Sequence, residues 1–429
     1  AEWQAAPDRA KAVFLANVET ARIAYEKALN APTATLQQGE FLPCDVVSTM
    51  NCQLPLVEGN LLSIPLGTGD FHMLRMGQYI YVDKTGWIKT VTKSGLTKIF
   101  LSRPRKFGKS LVISMLRWFF FGKHGYRLFE GLEVASDFPQ IAGRVQWGAE
   151  MEPYGVIGLD FSKLDHHRGQ ATFEDSLMAS LANVGKLYGH DIETKSVSST
   201  LEDLVRKLAM DTRNKHNKVV VLIDEYDAPI TPCLENLNPE TIEKAKQNRD
   251  VLSQFFTTLK SLSQNSFVAF EYVTGVTKIA KTSMFSGAND IIDMSLDTRY
   301  SAFCGFTETE IKTHFKHSLK SVADNLRCRD VADLLVRIVD MYDGYMFDNT
   351  GVAPKVFNPH SVCMLLDKSA FENFWISASG NSAWILNLMQ KEPITRLAAV
   401  TDKCRVSKIG FPRTVDLSSS FSDADLRSL

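Results

Sequence analysis

Several short apolar runs along the chain end abruptly on polar residues. Lys98-Ile99-Phe100-Leu101-Ser102 runs into a basic turn. Tyr154 to Ser162 carries an acid, Asp160, near its end, and Val219-Val220-Val221-Leu222-Ile223 runs straight into Asp224-Glu225. Phe267 to Thr274 and Ile291 to Leu296 repeat the pattern. Continuous, mostly β-branched runs of this length predict strands buried on both faces. Helical spacing fills the intervals. It predicts helices over Leu111 to Phe121, Phe173 to Tyr188 and Ser199 to Lys215, and one long helix or two over Thr241 to Gln264. The first is apolar nearly all round and is expected between sheet and neighbouring helices. Strands alternating with helices imply an α/β fold with a mostly parallel sheet.

Upstream, Pro7-Asp8 starts a predicted amphipathic helix through Asn30, followed by an irregular stretch over Ala31 to Asn60. Phe71 to Gly77 is expected to be helical, Tyr79 to Asp83 extended, and Lys84 to Ile88 the start of a helix. Beyond residue 305 the spacing looks all-helical. Thr307 to Glu310 fits a capping box, and Val331 to Met341 is periodic up to Tyr342-Asp343-Gly344. Asn358-Pro359 opens a further helix. Residues 391–429 carry few large apolar side chains, and Ser418-Ser419-Ser420 marks a flexible link.

The chemistry gathers at two strand ends. Arg103-Pro104-Arg105-Lys106-Phe107-Gly108-Lys109-Ser110 lies between a strand and a helix. Backbone N–H groups at such a helix N-terminus face an anion, and the dipole favours negative charge there. Lys109 can reach β- and γ-phosphates, and the Ser110 hydroxyl can ligate Mg²⁺. Arg103 stands where the usual loop has its first glycine. Asp224 is placed to hold Mg²⁺ through water as the partner of Ser110, and Glu225 to orient or deprotonate an attacking water. Thr274, at another strand end, is a candidate to contact the γ-phosphate or that water; the other reading is a hydroxyl bonded to neighbouring backbone. Lys278 and Lys281 follow on the same edge. Glu271, inside a strand, is expected to be partly exposed or paired. Asp83 and Lys84 either lie near a nucleotide base or pair with each other. Arg299 is a weaker candidate for an arginine finger on a neighbouring subunit.

These motifs, with Tyr79-Ile80-Tyr81-Val82-Asp83-Lys84-Thr85, Leu222 to Ile230, Thr274-Gly275-Val276-Thr277-Lys278, Phe285-Ser286-Gly287, Cys304-Gly305-Phe306-Thr307, Tyr342 to Tyr345 and Phe357-Asn358-Pro359, resemble the AAA-ATPase-like family of P-loop proteins over about residues 67 to 390. The arginine-proline form of the loop is normal there. The resemblance implies a three-layer P-loop NTPase core at 67–305, a helical lid at 306–390 and a linker or tail at 391–429, behind an N-terminal extension at 1–66. It implies ATP and Mg²⁺ as cofactors and hydrolysis coupled to lid movement. Arg103, Arg105, Lys106, Phe107, Gly108, Lys109, Ser110 and Leu111 would then surround the nucleotide. Ser110 and Asp224 would hold the metal, and Glu225 and Thr274 would act on the reaction. The second reading is a nucleotide-gated scaffold with little or no turnover. The family often carries a C-terminal restriction-type nuclease. Its signature is not found in these residues, so nuclease activity is not expected, and nucleic acid enters as a partner by family association alone. A protein partner or self-association through the N-terminal arm or the lid is expected.

Composition changes this picture little. The 429 residues are enough for two or three domains, with 45% apolar and 23% charged residues. A formal net charge of −1 offers no electrostatic argument for nucleic acid or an anionic membrane. Seven cysteines without a C-x-x-C pair argue against a disulfide framework or a zinc site, and suit an intracellular location, cytoplasmic or nuclear. Residues 1–66 hold four basic and seven acidic residues, unlike a transit peptide. No apolar run approaches a membrane span in length.

Overall fold

Five parallel strands build the central sheet: β1 (Lys98–Ser102), β4 (Gly155–Asp160), β5 (Val219–Asp224), β6 (Val268–Gly275) and β7 (Ile292–Asp293). A computed structural model describes residues 62–374 except 78, 137–139, 142–144, 147–150, 168, 235–238, 278–289, 343 and 349. The readings of the N-terminal helix and arm, of Lys278, Lys281 and Phe285 to Gly287, and of residues 375–429 lie outside them. Two further strands, β2 (Gln140–Ile141) and β3 (Val145–Gln146), form a separate antiparallel pair.

The sheet order is β4-β5-β6-β1-β7. Residues 219 to 223 are each fully buried, as a continuous apolar run in a doubly covered parallel strand requires. Each such Val, Leu or Ile contributes about 1.5–3 kcal/mol through burial. Parallel registration brings Ser102 beside Gly275 and Asp160 beside Asp224. The carboxyl ends of β1, β4, β5 and β6 therefore share one edge, where ligands bind in open α/β sheets. β6 separates β1 from β5.

Helix α1 (Phe71–Met76) is capped by Asp70, and α2 (Gly86–Lys93) precedes β1. α3 (Lys109–Phe120) packs on β4, β5 and β6. It begins at Lys109, two residues before the sequence expectation, because the left-handed Gly108 (φ 92°) turns the chain there. α4 (Gln170–Leu187), α5 (Val197–Met210) and α6 (Pro239–Gln264) pack on one another and on β4, β5 and β6 respectively. The interval that allowed one or two helices is the single helix α6.

Two expectations are corrected. The last core strand is only Ile292–Asp293, not 291–296. It is an exposed edge strand paired on one side, and the Asp293 carboxylate accepts the Ser295 N–H and turns the chain. The region after 305 is not all-helical. Beside α7 (Glu308–His314), α8 (Lys316–Asn325), α9 (Val331–Tyr342) and α10 (Pro359–Lys368), it holds an antiparallel pair, β8 (Phe306–Thr307) with β9 (Val356–Phe357). Two-residue strands carry too little alternation to be read from sequence.

These helices bury a second core of Ile311, Phe315, Leu319, Leu334, Ile338 and Val362, joined by Ile80 and Val82 from the segment ahead of α2. The Thr307–Glu310 capping box starts α7, and the Asn358 side chain accepts the His360 and Ser361 N–H groups to start α10. No helix among the described residues is long and apolar enough to cross a membrane.

Candidate functional site

Leaving β1, the chain is pinned by the Arg103 N–H to the Gly275 carbonyl. Lys106 (φ 66°) and Gly108 (φ 92°) then take left-handed backbone, which folds the loop onto the first turn of α3. Lys109 is 4% exposed, with Nζ 3.4 Å from the Pro104 carbonyl and 3.3 Å from Glu225 Oε1. The Ser110 side chain stands close enough to the Asp224 carboxylate to favour its charged form. The loop and the acidic pair thus meet across the end of β6.

Asp224 is 5% exposed, and burial pushes its carboxyl up to about 6. The neighbouring Glu225 and Asp160 charges push the same way, while Ser110 and Lys109 oppose them. Glu225 has left-handed backbone (φ 47°), a strained state for a side-chain-bearing residue, and its N–H donates to Asp224 Oδ1 at 3.0 Å. The turn is held from outside. Tyr226 N–H donates to the Thr274 carbonyl, and the Asp227 carboxylate accepts from the Val276 and Thr277 N–H groups and the Thr277 hydroxyl. A cavity of about 510 Å³ opens over the loop, within the range of small-molecule sites. Lys109, Ser110, Glu225, Arg105, Lys106 and Leu111 line it, together with Lys84, Cys304 and His360.

Two expected contacts fall elsewhere. Arg103 is 1% exposed; its guanidinium donates to the carbonyls of Ser102, Ser295 and Tyr300 and lies over the Phe347 ring at 4.0 Å. It props the loop from behind and does not line the cavity. Thr274 is fully buried, and its hydroxyl donates to the Leu101 carbonyl at 2.6 Å, so it ties β6 to β1 and also stays outside the cavity. The Phe107 side chain is buried against Tyr345 and Phe347, which leaves its backbone for any anion.

Lys84 and Asp83 do not pair with each other. Lys84 Nζ lies 2.6 Å from Glu310 Oε1 and donates to the Ala302 carbonyl, while Asp83 accepts from Thr85 and from the Glu133 N–H. Glu271 is 3% exposed with Lys98 Nζ 3.8 Å away, so it is paired as expected but not on an exposed face. Arg299 is half-exposed and engaged by Asp297. Sequence reasoning missed Asp227, although it stands three residues after Asp224 in the same turn. It also gave Asn358 no role beyond a helix start. Asn358 Nδ2 donates to the Arg105 carbonyl, across 253 residues of chain.

The family described as Predicted AAA-ATPase matches residues 65–285, which hold both motifs. An uncharacterized protein in the vnfD 5′ region of Azotobacter chroococcum mcd 1 is 31% identical over 332 residues. That match covers 76% of this chain and 56% of the relative, so the chain spans little more than half the length of the protein it matches. No solved structure matches the chain. With its parallel sheet, its strand–loop–helix turn and its buried acid at the end of β5, the chain belongs to the AAA-ATPase-like family.

Proposed function

We propose that the chain binds Mg-ATP and hydrolyses it, coupling the nucleotide state to movement of the helical segment after residue 305. The observation that carries this reading is the convergence of Lys109, Ser110, Asp224 and Glu225 at one end of the sheet, beside a cavity of about 510 Å³. The N–H groups of the loop and the first turn of α3 would hold the phosphate chain, with Lys109 balancing its charge. Glu225 would align water in line with the γ-phosphorus and take its proton as the new P–O bond forms, the electron pair of the breaking bond leaving with ADP.

Magnesium suits the donors. Ser110 and Asp224 offer hard oxygen ligands, and among the described residues no group of three His, Cys, Asp or Glu side chains could cage a metal by itself. When bound, the ion would neutralise charge on the β- and γ-phosphates. Coupling is supported by two contacts at the cavity rim, Lys84 with Glu310 and Asn358 with the Arg105 carbonyl.

A second reading, a nucleotide-gated scaffold with little turnover, is favoured by the engagement of Glu225 with Lys109. Calorimetry with Mg-ATP and phosphate release at saturating nucleotide separate the two. Binding with release above buffer supports the ATPase; binding with release equal to buffer leaves the scaffold; no binding rejects both.

A further inference from the structure

The Tyr345 to Asn358 strip lies against the outside of the phosphate loop. Tyr345 and Val356 exchange backbone hydrogen bonds, and β9 pairs with β8, so the strip is itself a folded ladder. From it, Tyr345 and Phe347 meet the Phe107 ring edge-to-face at 4.9 and 5.5 Å, and Phe347 receives the Arg103 guanidinium. Gly305 (φ +97°) leaves room for this packing; a Cβ there would sit 2.9 Å from Val356 Cβ and 3.2 Å from Phe107 Cε1.

Asn358 ends the strip. Its Oδ1 accepts the His360 and Ser361 N–H groups, and its Nδ2 donates to the Arg105 carbonyl at 3.3 Å. Asn358 is 7% exposed. One side chain therefore starts α10 and grips the loop. The second contact matters because a trans peptide is rigid: the Arg105 C=O and the Lys106 N–H lie in one plane and point in opposite directions. Holding that carbonyl fixes where the Lys106 N–H points. Lys106 has left-handed backbone, a state that needs outside support.

We propose that Asn358 is a positioning residue for the phosphate loop: through the Arg105 carbonyl it makes the anion-binding geometry depend on docking of the strip that carries α10. The loop geometry stands on its own; its consequence for nucleotide rests on the ATP-binding reading above.

Two variants of the full chain separate this role from helix capping. Asn358→Ser keeps a capping oxygen but is too short to reach the Arg105 carbonyl. Asn358→Ala loses both contacts. Hydrogen–deuterium exchange reads residues 105–108 and 359–364 separately, and calorimetry reads Mg-ATP. In Asn358→Ser, exchange at 105–108 should rise and Mg-ATP affinity fall by about tenfold, the weight of one hydrogen bond, with α10 protection unchanged. Asn358→Ala should loosen both segments. Unchanged exchange at 105–108 in Asn358→Ser, or loosening of α10 alone in Asn358→Ala, would overturn the proposal. If the wild type binds no Mg-ATP, the nucleotide reading falls, and the exchange at 105–108 still decides whether Asn358 holds the loop.

Discussion

Lys109 Nζ lies 3.3 Å from Glu225 Oε1, so the cation at the start of α3 and the acid after β5 neutralise each other across the crevice. Both are needed elsewhere in the proposed reaction. Lys109→Ala should weaken Mg-ATP binding more than a hundredfold by calorimetry, about 2.7 kcal/mol. Glu225→Gln should bind Mg-ATP as tightly as the wild type or a few-fold better, since Lys109 is released. Its phosphate release should fall by about a hundredfold or more. Equal affinity in wild type and Lys109→Ala would remove the loop from the site.

Arg103 supplies donors to three buried carbonyls. Arg103→Ala leaves all three without that partner and should cost about 3 kcal/mol or more in urea unfolding. Arg103→Lys, with a compact ammonium in place of a planar fork, should recover only part of this. A lysine variant with wild-type stability that has lost Mg-ATP affinity would return Arg103 to the role of phosphate ligand.

Thr274 is bonded to Leu101 and does not line the cavity. Thr274→Val should therefore lower stability by about 1 kcal/mol and leave kcat and KM within about twofold of wild type. A hundredfold loss of kcat at unchanged KM would show that the hydroxyl acts on the reaction.

Glu271 carries a pH signature. Burial pushes its carboxyl up to about 7, with Lys98 opposing and Asp290 adding to the rise. The folded state therefore holds the proton more tightly than the unfolded chain. This favours folding fully at low pH, and the advantage fades as pH rises from about 4.5 through 7. Glu271→Gln removes the buried charge. The variant should exceed the wild type in melting temperature at pH 8, by about 1–3 kcal/mol of stability, and the gap should close by pH 5. A gap that is the same at both pH values would exclude a buried, titrating carboxyl as its cause.

Local features were legible in the sequence, and features made by distant residues were not. The strand–loop–helix around Lys109 and the strand ending at Asp224 are written in consecutive residues. Their meeting follows from the rule that parallel strands end on one edge. Periodicity also found α6, and the capping box at Thr307 and the Asn358-Pro359 cap found the starts of α7 and α10. It could not show that Arg103 turns to Ser295 and Tyr300, nearly 200 residues away, since an arginine in a basic loop reads equally as a phosphate contact. The Thr274 hydroxyl was ambiguous for the same reason, because its partner sits on a strand 173 residues earlier. The β8–β9 pair was missed because pairs of two residues leave no periodic trace. Asp227 and Asn358 were visible as letters, but their hydrogen bonds reach Thr277 and Arg105.

Insertion of β6 between β1 and β5 makes that strand a spacer gauge. The two chemical halves stand about two strand widths apart, roughly 9.5 Å, and the Lys109 and Glu225 side chains reach across that interval. The gauge is tightest at Gly275, where a methyl group would lie 2.5 Å from Asp227 Oδ1 and 2.6 Å from the Tyr226 ring. Enlarging that single position would press on the turn that follows the acid pair, through Tyr226 and Asp227, without altering any residue assigned to bind or react.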